Sequence, residues 1–173
     1  MTYRALTLRL RVAGIEDPST DARLLLSRFC GVEATAILAD PARDYTGDSL
    51  ERAVRAREER IPLQHILGEA YFYGNRFLVS ADCLIPRADT EILVAEACRL
   101  LPHGARFADL CTGSGCIAVS VLASRPDTTA LAVDISADAL RIAKKNAEEN
   151  GVLSRVRLLR ADLLTDAVED TPD

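Results

Sequence analysis

Asp109, Gly113, Gly115 and Asp134 are the residues whose types and spacing point to chemistry. The stretch Asp109-Leu110-Cys111-Thr112-Gly113-Ser114-Gly115 follows the apolar run Ala105 to Leu110 and opens the helix-like run Cys116 to Ala123. A strand that ends in an acidic residue and turns through two glycines into a helix brings backbone N–H groups against a ligand, because only glycine lets another molecule approach the main chain so closely. Twenty-five residues after Asp109, a second apolar run, Thr129 to Val133, ends in Asp134. A carboxylate placed there can accept hydrogen bonds from both hydroxyls of a ribose, so the pair reads as an adenosine-binding half-site.

Two cofactors compete for such a site. Gly113-x-Gly115-x-x-Ala118 satisfies a dinucleotide fingerprint with alanine in the third place, which keeps a nicotinamide or flavin oxidoreductase open. Asp109 discriminates, because a carboxylate at the end of the first strand repels a pyrophosphate but suits the ammonium of an amino-acid moiety. S-adenosylmethionine carries that group and is the favoured cofactor. The plainer alternative is that Asp109 caps the turn that follows it. Cys111 offers a thiol inside the loop, although small side-chain volume is the better explanation of its presence.

Composition narrows the class. The chain has 173 residues, 49% hydrophobic and 27% charged, enough for one ordinary domain or two small ones. Its net charge of −5 falls on the second half, since 12 basic and 12 acidic residues precede Asp89 and 9 and 14 lie from Asp89 onward. Sequence-independent binding to nucleic acid, which needs a clustered basic surface, is not expected. No apolar run is long enough for a membrane span and no signal-peptide pattern opens the chain, so a cytoplasmic protein is expected. Five cysteines without a C-x-x-C pair argue for reduced thiols and against a zinc site.

The elements that must position the site follow from periodicity. From Thr2 to about Arg60 apolar residues recur at three and four, predicting a bundle of short helices, one starting at Asp17-Pro18 and the last running from Leu50 to Arg60. Arg52, Arg55, Arg57 and Arg60 on that last helix either face an acidic partner or form a solvated face paired with Glu51, Glu58 and Glu59. After Ile61-Pro62, the aromatic and β-branched segment Tyr71 to Val79 around Gly74-Asn75 predicts a β-hairpin. Pro86 forces an extended entry to a helix from Glu91 to Leu101, capped by Asp89 or Thr90. Strands at 105 to 110, 129 to 134 and 156 to 160 then alternate with helices at 116 to 124 and 137 to 149, which predicts an α/β fold with a parallel sheet. Asp162, just past the third strand, is placed to contact an adenine or simply begins a polar loop.

With these motifs in view, the chain resembles the bacterial release factor glutamine methyltransferases. The resemblance rests on Pro62-Leu63-Gln64-His65-Ile66-Leu67-Gly68 followed by Phe72-Tyr73-Gly74, on Leu84-Ile85-Pro86-Arg87 with Asp89-Thr90-Glu91, and on the loop Asp109 to Gly115. It implies S-adenosylmethionine-dependent methylation of the side-chain amide of the glutamine in the Gly-Gly-Gln motif of peptide chain release factors, a step that regulates translation termination. It also implies a helical substrate-recognition domain over 1–68, a β-hairpin linker over 69–88 and a Rossmann-like S-adenosylmethionine-binding domain over 89–173. By the family's pattern the helical domain helps hold the release factor, the loop Cys111, Thr112, Gly113, Ser114 and Gly115 cradles the methionine part of the cofactor, and Asp134 takes the ribose. Asp162 and Leu163 match adenine-flanking positions, and Arg87 and Thr90 are substrate-side or linker candidates. Ala88 stands where the family usually has proline. A sister group that methylates a ribosomal protein is faintly echoed by Glu69-Ala70-Tyr71-Phe72, whereas the Arg87-x-Asp89-Thr90-Glu91 block is similar to the release factor group.

One departure bears on activity. The family's chemistry depends on an Asn-Pro-Pro-Tyr motif after a fourth strand, and Asn75, Asn146 and Asn150 are the only asparagines, none followed by proline. No catalytic residue is therefore assigned within this sequence, and the sheet is expected to hold only its first three strands. Because the first strand is central in such sheets, Ala105 to Leu110 is expected to form a bare apolar edge. The chain is accordingly expected to be the amino-terminal part of a longer enzyme, inactive alone, with a non-catalytic release-factor-binding module as the alternative.

Overall fold

A computed structural model describes residues 1–166. By its internal contacts the chain divides into Met1–Leu67 and Gly68–Asp173. Among the described residues no helix is long and apolar enough to cross a membrane.

The first unit is helical: α1 (Tyr3–Val12), α2 (Pro18–Cys30), α3 (Ala34–Ala39), α4 (Asp48–Glu58) and α5 (Leu63–Leu67). Its boundaries are written in local chemistry. The Thr2 side chain accepts from the N–H of Ala5 and Asp17 from that of Thr20, while Pro18 occupies a first-turn position that needs no donor. Gly31, at φ 65°, ends α2. Leu6, Leu10, Leu25, Leu26, Ile37 and Val54 fill the interior with no solvent exposure. The arginines of α4 are neither a free patch nor paired with Glu59. Glu51 and Glu58 grip Arg9 of α1 through four bonds of 2.7 to 3.0 Å, and Arg57 pairs with the buried Asp21 at 2.6 Å. Arg55 keeps the expected neighbour on its own helix, Glu51 at 3.2 Å, while the packing of α4 beside α1 and α2 chose the other partners.

The second unit begins with β1 (Glu69–Phe72) and β2 (Asn75–Leu78), an antiparallel pair. Phe72 pairs with Asn75, so the two turn residues are Tyr73 and Gly74, one position earlier than the expected Gly74-Asn75. Both have positive φ, 49° and 73°, the type I′ geometry whose twist suits a hairpin. Glu91 accepts the N–H of Tyr73 at 2.7 Å, and Phe72 and Phe77 meet edge to face at 6.1 Å in the core of this unit. A 3-10 turn over Ala88–Thr90 leads into α6 (Glu91–Leu100). Neither Asp89 nor Thr90 makes the expected side-chain cap; the tight turn takes its place.

The sheet follows as β3 (Arg106–Leu110), α7 (Cys116–Ser124), β4 (Thr129–Asp134), α8 (Ala137–Glu149) and β5 (Val156–Arg160). The strands are parallel in the order β3-β4-β5, with Asp109 opposite Ala132 and Asp134 opposite Arg160. Phe107, Ala130, Ala132 and Leu158 pack with Val94, Ala118, Leu122 and Ala147 of the helices in one core. At the end of α8 the N–H of Gly151 bonds Glu148 and that of Val152 bonds Ala147, a Schellman motif that satisfies the last carbonyls.

Among the described residues β3 pairs with β4 alone, so its other edge is open, as the three-strand pattern predicts. Beside that edge lies an apolar groove of about 530 Å3 lined by Leu93, Leu100, Phe107, Leu110 and their neighbours. Leu93 and Leu110 are each more than half exposed there.

Candidate cofactor site

The turn after β3 is built from left-handed backbone: Cys111 at φ 62°, Gly113 at 55° and Gly115 at 79°. Gly115 is required twice over, because a Cβ would lie 3.1 Å from the Cβ of Ala143 and 3.3 Å from its Cα. That contact lets α7 and α8 approach. At Gly113 an added Cβ would meet no protein atom within 4 Å, so the glycine serves its backbone angle and leaves open space beside the loop. Cys111 adopts the same region with a side chain, at a conformational cost of about 1–3 kcal/mol.

Two carboxylates hold this loop. Asp109 is buried, and its Oδ2 accepts from Thr112 Oγ1 at 2.6 Å and from the Ala118 N–H at 3.1 Å. It thus caps the turn and the start of α7. Burial pushes its carboxyl above the ordinary value; the two hydrogen bonds counter that rise and the charge of Asp134 adds to it. Asp134 accepts from the Gly113 N–H through Oδ2 at 2.8 Å and from the Ser136 N–H through Oδ1 at 2.9 Å. A carboxylate oxygen accepts more than one hydrogen bond, so both retain capacity for hydroxyl donors.

Cys111, Thr112, Gly113 and Ser114 line a cavity of about 210 Å3 together with Leu84, Ile85, Pro86, Arg87 and Thr90. The structure therefore brings Arg87 and Thr90 to the glycine loop across 21 or more residues of chain. Arg87 and Asp89 form an exposed ion pair of 3.0 Å at this rim. Cys116 and Ile117 complete the lining, and burial pushes the Cys116 thiol up to about 11, leaving it protonated at neutral pH. Cys111 is exposed. Asp134 joins the cavity only through Gly113, and Asp162 and Leu163 do not line it. Asp162 closes a local turn, accepting from the Leu164 N–H at 3.0 Å, while the neighbouring Ala161 N–H reaches the Asp134 carbonyl at 3.2 Å.

Two side chains hold backbone near the site in ways the sequence did not single out. Glu91 pins the hairpin turn, as described above. Asn146 sits fully buried on α8 and donates to the Ser114 carbonyl at 2.8 Å. A signal for Asn146 existed: it is the one polar member of the buried stripe Ala139, Ala143, Asn146, Ala147.

Comparison with known proteins places this geometry. Residues 2–68 match the PrmC N-terminal domain and residues 88–173 the methyltransferase small domain. A release factor glutamine methyltransferase of Chlorobaculum tepidum is 39% identical over 166 residues, covering 90% of this chain and 56% of that protein. One of Cereibacter sphaeroides is 41% identical over 162 residues, covering 92% and 58%. Among solved structures, an S-adenosylmethionine-dependent methyltransferase from Geobacter sulfurreducens in complex with S-adenosyl-L-homocysteine is 30% identical, with a TM-score of 0.43, over 51% of this chain and 34% of that one. The fold and the matched domain define the class, a Rossmann-like methyltransferase. More narrowly, the chain is similar to release factor glutamine methyltransferases, and it spans 56% to 59% of the length of these curated relatives.

Proposed function

We propose that the glycine loop binds S-adenosylmethionine, and that the protein to which this chain corresponds methylates the side-chain amide N5 of the glutamine in the Gly-Gly-Gln motif of peptide chain release factors in the cytoplasm. The observation that carries the reading is the cavity where Arg87 and Thr90 meet Cys111 to Ser114, with Asp134 locked to Gly113. The residues fit the cofactor: the open space at Gly113 accommodates its methionine part, and Asp134 keeps acceptor capacity for the ribose hydroxyls. Asp162 and Leu163 flank the adenine in this reading. When bound, the cofactor supplies an electrophilic methyl group on a sulfonium. Residues 1–68 serve as the release-factor-recognition domain, 69–88 as the linker that carries Arg87, and 89–173 as the cofactor domain.

An amide nitrogen is a poor nucleophile because its lone pair is delocalised, so transfer needs groups that orient the amide and hydrogen-bond both its ends. No Asn-Pro pair exists among the 173 residues to do this. The polypeptide as it stands is therefore expected to transfer no methyl group to a release factor. Radiolabelled S-adenosylmethionine and a purified release factor provide the assay, and detectable turnover by the pure 173-residue chain would sink that expectation. Cofactor choice is tested separately by a thermal melt with S-adenosyl-L-homocysteine or NAD. Stabilisation by the first, lost in Asp134→Ala, supports the reading; stabilisation by NAD alone revives the oxidoreductase. Capture of a release factor without turnover favours the binding-module role.

A further inference from the structure

One buried amide bonds both the glycine loop and the end of β2, from which the chain leads to the other wall of the cavity. Asn146 has no solvent exposure. Its Oδ1 accepts from the Leu78 N–H at 2.7 Å, and its Nδ2 donates to the Leu78 carbonyl at 3.0 Å and to the Ser114 carbonyl at 2.8 Å. Toward Leu78 the side chain acts as a neighbouring strand would, satisfying both backbone groups at the end of β2. From Leu78 the chain runs on to Leu84–Arg87, which line one side of the cavity, and Ser114 belongs to the other. An alanine at this place would match the rest of the stripe on α8 but would leave one buried and two part-buried backbone groups without this partner.

We propose that Asn146 is the positioning residue that sets the glycine loop and the Leu84–Arg87 wall relative to each other, so that the cofactor side and the substrate side of the site are assembled as one unit. The proposal rests on the cofactor reading for its functional meaning, but not for its test. Asn146 touches no reacting group. It acts through the Ser114 carbonyl, whose inward direction fixes the peptide that joins Ser114 to Gly115, and through Leu78, the anchor from which the wall departs. The hairpin has a second, independent tie to α8, because Asn150 donates to the Arg76 carbonyl at 3.1 Å. Loss of the Asn146 amide therefore leaves β2 held at its other end.

Asn146→Asp separates the roles. The carboxylate still accepts from the Leu78 N–H, but it turns an oxygen on the Leu78 and Ser114 carbonyls where an N–H had been. Amide hydrogen exchange on the full chain reads the result. The expected outcome is an unchanged Leu78 amide, with Thr112, Gly115 and the segment 80–90 exchanging at least tenfold faster while the amides of β4 keep their protection. Asn146→Ala is expected to release Leu78 as well. Unchanged exchange at Thr112 and Gly115 in both variants, or uniform loss across the sheet, overturns the proposal. Should neither variant fold, the wild-type chain decides: in dilute denaturant Leu78, Thr112 and Gly115 should exchange through one opening with one denaturant dependence, and separate openings overturn the coupling. Titration with S-adenosyl-L-homocysteine adds the functional arm, in which wild-type protection rises at 80–90 as well as at the loop and Asn146→Asp confines it to the loop. Failure of that probe to bind at all counts against the cofactor reading, while the exchange results still decide on Asn146.

Discussion

The helical unit and the sheet unit satisfy their backbones and charges in different ways. In the helical unit each helix completes its own ladder, Thr2 and Asp17 cap the starts of α1 and α2, and the buried carboxylate Asp21 and the half-buried Glu51 and Glu58 find arginines inside the same unit. The sheet unit is well tied at its loop end, where Asp109, Asp134 and Asn146 converge on the residues from Thr112 to Ala118, yet it is open along β3. A helix completes its hydrogen bonds within one segment, whereas a strand borrows half of its own from a neighbour. The lesson is that side chains can hold the glycine loop in a sheet whose β3 edge is exposed among the described residues.

Four substitutions sharpen or break this contrast. Leu26→Ala, in the closed core of the helical unit, is expected to cost about 2–5 kcal/mol in a denaturant melt, because the cavity it leaves cannot collapse fully. A loss below about 1 kcal/mol would show that this unit is less tightly packed than its burial implies. Gly115→Ala comes next, at about 1–3 kcal/mol, since the added methyl meets Ala143 and the backbone stays at φ 79°. It should also abolish any stabilisation by S-adenosyl-L-homocysteine, separating loop geometry from global stability.

Charge in the sheet unit has a pH signature. Asp127 accepts from Arg125 and from the Gly104 N–H, which hold its carboxyl well below the usual carboxylate range. The stabilisation is fully present above the ordinary value of 3.8 and is lost as pH falls below it through the depressed folded value. Asp127→Asn should therefore be less stable than wild type at neutral pH and show a shallower acid decline between about pH 4 and pH 2. The Asp109 carboxyl moves the other way. Because burial raises its folded value, its ionisation weakens the fold as pH rises above 3.8. A wild-type acid profile steeper than that of Asp127→Asn checks the first of these directions.

The smallest effect on stability, within about 0.5 kcal/mol, is expected for Leu110→Lys on the open edge. Its effect on association should be larger. Sedimentation of the wild-type chain is expected to show concentration-dependent self-association that the lysine suppresses, as charges on edge strands do. Equal behaviour of the two proteins would mean that the β3 edge is not the sticky surface.

Much of this was legible in the residues. Gly113 and Gly115 announce a left-handed turn, because few other residue types favour those backbone angles, and Asp109 and Asp134 stand at or near the ends of the two apolar strands beside it. The bare edge along Ala105 to Leu110 likewise follows from counting strands. The type I′ turn at Tyr73-Gly74 was misplaced by one residue because tyrosine rarely takes positive φ, and it does so here with its N–H held by Glu91. The cap expected at Asp89 or Thr90 failed because a 3-10 turn supplied the entry instead.

The sequence by itself determined the order of the elements, the glycine loop and the resemblance to the release factor glutamine methyltransferases, since these depend on local backbone preference and on motifs contiguous along the chain. Tertiary structure alone decided which groups meet: Arg9 between Glu51 and Glu58, Arg87 and Thr90 across a cavity from Cys111, and Asn146 between Leu78 and Ser114. A buried polar group is driven to find a partner wherever packing brings one within about 3 Å, and sequence separation does not enter that distance.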